Sequence, residues 1–194
     1  MPRRRYIFDP PERFVAGTVG EPGGRTFFLQ ARDGVRVISV ALEKVQVAVL
    51  AERLGTLLSD LDRRGVGLGI SSDAPTGDLP ELADHDAGPL DEPLVEAFRA
   101  GSLTLGWDGG AGRILVEARA QDVDGEPVDP DEDDDDDDDG PDLLRVRITA
   151  AAARSFVARA ARVVASGRSP CPLCGAPLDP GGHICPRRNG HYVN

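Results

Sequence analysis

The sequence predicts an α+β protein of two β-β-β-α units, their antiparallel sheet covered by helices, with a small C-terminal zinc-binding segment. Three observations lead there. Six short runs have strand character, several of them alternating apolar and polar residues. Two longer runs place apolar residues at helical spacing, and each follows three of the strand-like runs. All three cysteines lie between residues 171 and 185. The predicted layout is a duplicated body over residues 1–168, with copies at about 13–65 and 97–167, and a tail over 169–194.

Residues 1–12 read as an extended arm, because Asp9-Pro10-Pro11 cannot be helical. Residues 14–20 and 25–32 are strands around the turn Glu21-Pro-Gly-Gly24. Asp33-Gly34 is a hairpin signal, and residues 35–42 return as a third strand. The period then changes. Val47, Leu50, Leu54, Leu57, Leu58 and Leu61 form one stripe of a helix over 43–64, ended by Arg63, Arg64 and Gly65. Residues 65–92 are rich in Gly, Pro and Asp and read as a weakly structured connection. His85, within Asp84-His85-Asp86, reads as a solvated loop histidine.

The same order then recurs. Phe98-Arg-Ala-Gly101 echoes Phe14-Val-Ala-Gly17. Residues 98–107 form a strand ending in Trp107, read as core or rim packing. Residues 113–120 follow, with Ile114, Val116 and Ala118 on one face and Arg113, Glu117 and Arg119 on the other. Residues 143–149 put Leu144, Val146 and Ile148 inward and two arginines outward. A second helix, about 150–166, buries Phe156, Ala160, Val163 and Val164. A disordered acidic loop is expected over 129–141, between strands two and three of the second copy.

That loop dominates the charge. The chain carries a net −11, and residues 131–139 are nine consecutive acids. Without those nine the net charge is −2. A nearly neutral body argues neither for nor against nucleic acid. The N-terminus is basic but has no apolar h-region, so no signal peptide is expected. No run of apolar residues is long enough for a transmembrane helix. Clustered cysteines at metal-ligand spacing suit a reducing cytoplasm.

Zinc needs four tetrahedral ligands, and thiolate and imidazole supply them. Cys171-Pro-Leu-Cys174 is a standard ligand pair, and Cys185-Pro186 offers a third sulfur. The fourth ligand is His183 or, as the alternative, His191. His183 is favoured because its spacing of two from Cys185 puts both on one side of an extended segment. Four protein ligands leave no open position, so the ion would be structural. No nucleophile elbow, phosphate-binding loop or dinucleotide fingerprint is present. The leading expectation is therefore a non-enzymatic module that binds an unknown protein partner. The alternative is a hydrolase, or hydrolase subunit, acting on a phosphate-containing small molecule between the two copies. A second alternative is weak nucleic-acid binding through Arg187, Arg188 and the arm Arg3-Arg4-Arg5. The string Phe8-Asp-Pro-Pro-Glu-Arg-Phe14 reads as an edge with a proline stop, or as a partner surface through Asp9, Glu12 and Arg13.

Four stretches carry a resemblance. They are Tyr6-Ile-Phe-Asp-Pro-Pro-Glu-Arg-Phe-Val-Ala-Gly-Thr-Val-Gly20, Arg25-Thr-Phe-Phe-Leu-Gln-Ala-Arg32, Ser39-Val-Ala-Leu-Glu-Lys44, and the Cys-Pro-Leu-Cys segment through Asn189-Gly190. On these the chain resembles an uncharacterised actinobacterial family, the domain of unknown function 3090. The resemblance implies no assigned reaction. The family pattern ends Asn-Gly-Tyr where this chain has Asn189-Gly190-His191, which implies His183 rather than His191 as the ligand.

Overall fold

A computed structural model describes residues 3–66, 86–121, 125, 140–166, 171–174, 185 and 187. In chain order the elements are β1 (Arg5–Phe8), β2 (Arg13–Val19), β3 (Thr26–Asp33), β4 (Arg36–Leu42), α1 (Lys44–Arg63), β5 (Glu96–Asp108), β6 (Arg113–Ala120), β7 (Leu143–Ile148) and α2 (Ala150–Ala165). The strands form one seven-stranded sheet in the order β1-β7-β6-β5-β4-β3-β2.

Two antiparallel meanders make up most of that sheet, β2-β3-β4 and β5-β6-β7. Each is followed by a helix. The meanders are themselves joined by parallel pairing: Ser39, Val40 and Ala41 of β4 face Glu96, Phe98 and Arg99 of β5. The sheet is therefore mixed, not antiparallel throughout. The reason is α1, which carries the chain back so that β5 starts at the same end as β4.

The N-terminal arm also differs from expectation. Arg5–Phe8 is a strand, pairing in parallel with β7 from Arg5↔Leu143 to Phe8↔Val146. A four-residue run before a proline pair gives little periodic signal. It is β7's open edge that makes the run a strand.

Chain length then forces curvature. Residues 9–12 are all that links β1, at one sheet edge, to β2, at the other. That link spans at most roughly 18 Å, whereas six strand spacings of about 4.8 Å would separate the edges of a flat sheet by roughly 29 Å. The sheet must roll so that its edges approach. Cross-sheet contacts agree: the Arg36 guanidinium lies 4.5 Å from the centre of the Phe8 ring and donates to the Ile7 carbonyl at 3.2 Å.

One core fills the concave side. Phe14, Ala16, Leu29, Ala31 and Val40 from the first meander meet Phe98, Ala100, Ile114, Val116, Ala118, Leu144, Val146 and Ile148 from the second. Phe14-x-Ala16 and Phe98-x-Ala100, the echoed pairs, both point into it. From above, α1 contributes Val47, Leu50, Leu54 and Leu58, and α2 contributes Ala153, Phe156 and Ala160. The Phe156 ring stacks on Phe14 at 5.0 Å. Leu57, Val163 and Val164 are only partly buried at the rim.

Local signals explain the helix ends. Gly65, at φ 64°, turns left-handed after α1. Its N–H donates to Asp62 O and that of Val66 to Leu61 O, satisfying carbonyls the helix would leave orphaned. Thr149 Oγ1 accepts from the Ala152 N–H and starts α2.

Leu54 is fully buried at the centre of α1. Leu54→Ala should cost about 2–5 kcal/mol, read as a lower midpoint in urea unfolding. A loss below about 1 kcal/mol would contradict its place in the shared core.

Candidate functional site

The three cysteines meet at one point. Residues 171–174 make a turn in which the Leu173 N–H points at Cys171 Sγ, 3.4 Å away. Cys185 comes back beside them, and all three sulfurs lie within 4.8 Å of one another. Cys171 Sγ and Cys185 Sγ are 3.9 Å apart. That is far beyond a disulfide. It matches the edge of a tetrahedron, since thiolates about 2.3 Å from one zinc lie roughly 3.8 Å apart. Cys171 and Cys185 are buried and Cys174 is half-buried. Backbone N–H groups of Cys174 and Leu173 directed at Cys171 hold its thiol below the ordinary cysteine range, which favours the thiolate a metal needs. Arg187 donates to the Leu173 carbonyl at 2.9 Å and closes the turn from the Cys185 side. The sulfurs thus offer three corners of a metal site. Expected ligands His183 and His191 lie outside the described residues, as do His85 and the acidic run.

A second constellation was invisible in the sequence. Arg13, at the start of β2, donates to Asp86 through Nε and through Nη2 (2.9 Å), to Asp91 through Nη1, and to the Pro89 carbonyl at 2.8 Å. Arg159 of α2 reaches the same place. Its Nε donates to the Ala16 carbonyl at 2.7 Å, and its Nη1 donates to the Asp86 carbonyl and carboxylate. Ala16 lies on β2, whose outer side pairs with no strand among the described residues. Arg159 therefore caps a sheet edge that would otherwise carry an unsatisfied acceptor.

Residues 86–91 are strapped down by these bonds. Asp91 N–H donates to Gln30 Oε1 at 2.7 Å, while Gln30 Nε2 donates back to the Asp91 carbonyl and to Ser39 Oγ, each at 3.0 Å. Leu90 sits against Gly17, where an added Cβ would lie 2.6 Å from Leu90 Cδ2. This corrects the expectation of a weakly structured connection up to residue 92. It also gives Arg13 an internal role, with Asp9 bonded to Arg147 and Glu12 to Arg32.

Both faces of β6 are covered: Ile114, Val116 and Ala118 lie in the core, and Glu117 and Arg119 on the opposite face are each only 4% exposed. Glu117 faces Arg145 across the ladder and accepts from both Arg145 and Arg119. Buried charge is tolerable when paired in this way.

One more feature is open. β5 has 13 residues, and β4 pairs only with its first four. Residues 101–108 are half-buried beside α1.

The fold and site define a class: an α+β protein with a rolled mixed sheet, two helices on one face and a three-cysteine site near the C-terminus. The chain belongs to the DUF3090 family, described as proteins of unknown function, whose model matches residues 6–185. No curated protein and no solved structure shows a significant match. No described helix is long and apolar enough to cross a membrane.

The strap makes a pH prediction. Hydrogen bonding from Arg13 holds the Asp86 carboxyl below the ordinary aspartate range. A depressed carboxyl stabilises the fold above its unfolded pKa, near 4, and that stability is lost as pH falls through the lower folded value. Asp86→Asn should therefore be less stable than wild type at pH 7, with the gap narrowing as pH drops below about 4. Thermal melts at several pH values read this directly. A gap independent of pH would refute the pairing.

Proposed function

We propose that the protein is a non-enzymatic, partner-binding module of the cytoplasm, with one structural zinc ion fixing its C-terminal segment. The convergence of three sulfurs within 4.8 Å of one another, with Cys171 and Cys185 at 3.9 Å, carries the metal part of this reading. Cys171, Cys174 and Cys185 are the ligands, and His183, with His191 as the alternative, completes a closed site. A closed site leaves no position for water or substrate, so the ion acts through folding free energy. Thiolate ligands and a reducing compartment go together.

Exposed apolar side chains on α1 support the binding part. Val45 is 65% and Val49 44% exposed, on a helix whose opposite stripe is buried. Isolated exposed aliphatics mean little, but these two sit one helical turn apart beside an open cavity. The alternative reading, a hydrolase acting on a phosphate-containing small molecule, places its site where the meanders meet. The polar groups at that seam, Gln30, Ser39 and Asp91, bond to one another, which favours the binding reading. Weak nucleic-acid binding remains the second alternative, and Arg187 is engaged with the Leu173 carbonyl.

Elemental analysis of protein purified without chelator should find about one zinc per chain, and Cys174→Ser should lose most of it. Chelation should leave the helical circular dichroism nearly unchanged, because α1 and α2 pack on a core that contains none of these cysteines. Wild type without zinc would refute the metal reading. Affinity capture from cells with mass spectrometry tests the binding reading, and the absence of any specific partner would refute it.

A further inference from the structure

The overhang of β5 forms a slot with a distinctive lining. A β-bulge between Ala100 and Ser102 shifts the register with β6 just where β4 stops pairing. Bulges bend and twist a strand; β4 ends at Leu42, one residue past its last pair, and β5 runs on beyond it to Asp108. Past the bulged Gly101, residues 102–108 pair with β6 on one side and, among the described residues, with no strand on the other. Among the described residues only the beginning of that free edge is capped: Gln46 Nε2 of α1 donates to the Ala100 and Gly101 carbonyls at 3.1 and 3.4 Å.

Beyond Gln46 the described residues leave a space between α1 and β5. A cavity of about 640 Å³ is walled by Val49, Arg53, Leu57 and Asp60 of α1 and floored by Leu103 and Leu105 of β5. A second cavity, of about 250 Å³, continues it past Val45 and Gly101 and shares Val49 and Leu103. The wall residues recur at three- and four-residue intervals, so one flank of the helix lines the slot along its length. Asp60 is paired with Arg63. Arg53 is exposed and makes no ion pair among the described residues.

We propose that this slot is a peptide-docking site, which takes an extended segment of a protein partner as an added strand beside residues 101–108. This rests on the partner-binding reading and names the chemistry of the partner. Backbone donors and acceptors along a free strand edge are complemented by another extended chain. Alternate side chains of that chain fall on one face, so apolar residues at every second position meet Leu103, Leu105 and Val49. Arg53, without an ion pair among the described residues, selects a carboxylate on the incoming segment by charge complementarity. The partner segment is therefore extended, apolar at alternate positions and acidic at one position facing α1.

A displayed random-peptide library, selected on the intact chain purified without chelator, tests this. Enriched peptides should alternate apolar and polar residues and carry an acid. Arg53→Glu should shift the enriched charge from acidic to basic. Val49→Asp, at an exposed position that leaves folding intact by circular dichroism, should weaken the enriched peptides about tenfold or more. Peptide binding should slow amide exchange within residues 101–108. Enriched peptides without alternation, equal binding by Val49→Asp, protection elsewhere or no enrichment would each overturn the proposal. So would a concentration-dependent dimer that protects residues 101–108, which would assign the slot to self-association. A cellular partner captured equally by wild type and Val49→Asp would sink the slot while leaving the partner-binding reading standing. A chain that captures neither peptide nor partner sinks both.

Discussion

The parallel pairing of β4 with β5 is the constraint on which the rest of the structure depends. A three-stranded meander alone has one apolar face and too little to cover it. Parallel pairing joins two such meanders edge to edge, so that Phe14 and Ala16 share a core with Phe98 and Ala100. It also dictates where α1 goes, since a parallel crossover must return across the sheet. Once α1 lies over the sheet, α2 packs beside it and closes the same face. The overhang of β5 follows from the same junction, because β4 ends at Leu42 while its partner runs on to Asp108.

Rolling the sheet creates a cost that the charged residues meet. The two edge strands, β1 and β2, come near one another without pairing. Their exposed backbone must find other partners or solvent. At β2 the solution is Arg159, which donates to the Ala16 carbonyl while Asp86 balances its charge. Asp86 is held in turn by Arg13. Burial pulls the Arg159 pKa downward and Asp86 pushes it back up, so the carboxylate is what makes a buried guanidinium tolerable. The segment around residues 86–91 is ordered by these contacts and not by any local propensity of its own.

Element order and inward faces were legible because they are local. The helical stripe from Val47 to Leu61, the Asp33-Gly34 turn and the alternation Ile114, Val116, Ala118 are written in adjacent residues. Strand pairing across the junction was not legible, since nothing in Val40 or Phe98 announces a neighbour 58 residues away in sequence. The same holds for Arg13 and Asp86, which look like surface charges until the chain folds. The burial of Glu117 and Arg119 was not legible for a related reason. Alternation assigns them a face but not its burial, which depends on the opposing Arg145. The cysteine cluster was legible because Cys-x-x-Cys spacing reports ligand geometry directly. The spacing of His183 from Cys185 favours it over His191, and both histidines lie outside the described residues.

In the proposed reading a closed metal site and a partner surface divide the molecule's work: the metal would hold a short segment that buries little core, and the slot between α1 and β5 would take the partner. Zinc-edge X-ray absorption on the purified chain tests the closed structural site most directly. The account predicts three sulfurs at about 2.3 Å and one nitrogen at about 2.0 Å. A shell containing an exchangeable water oxygen in place of the nitrogen would contradict it, because an open position belongs to a catalytic metal.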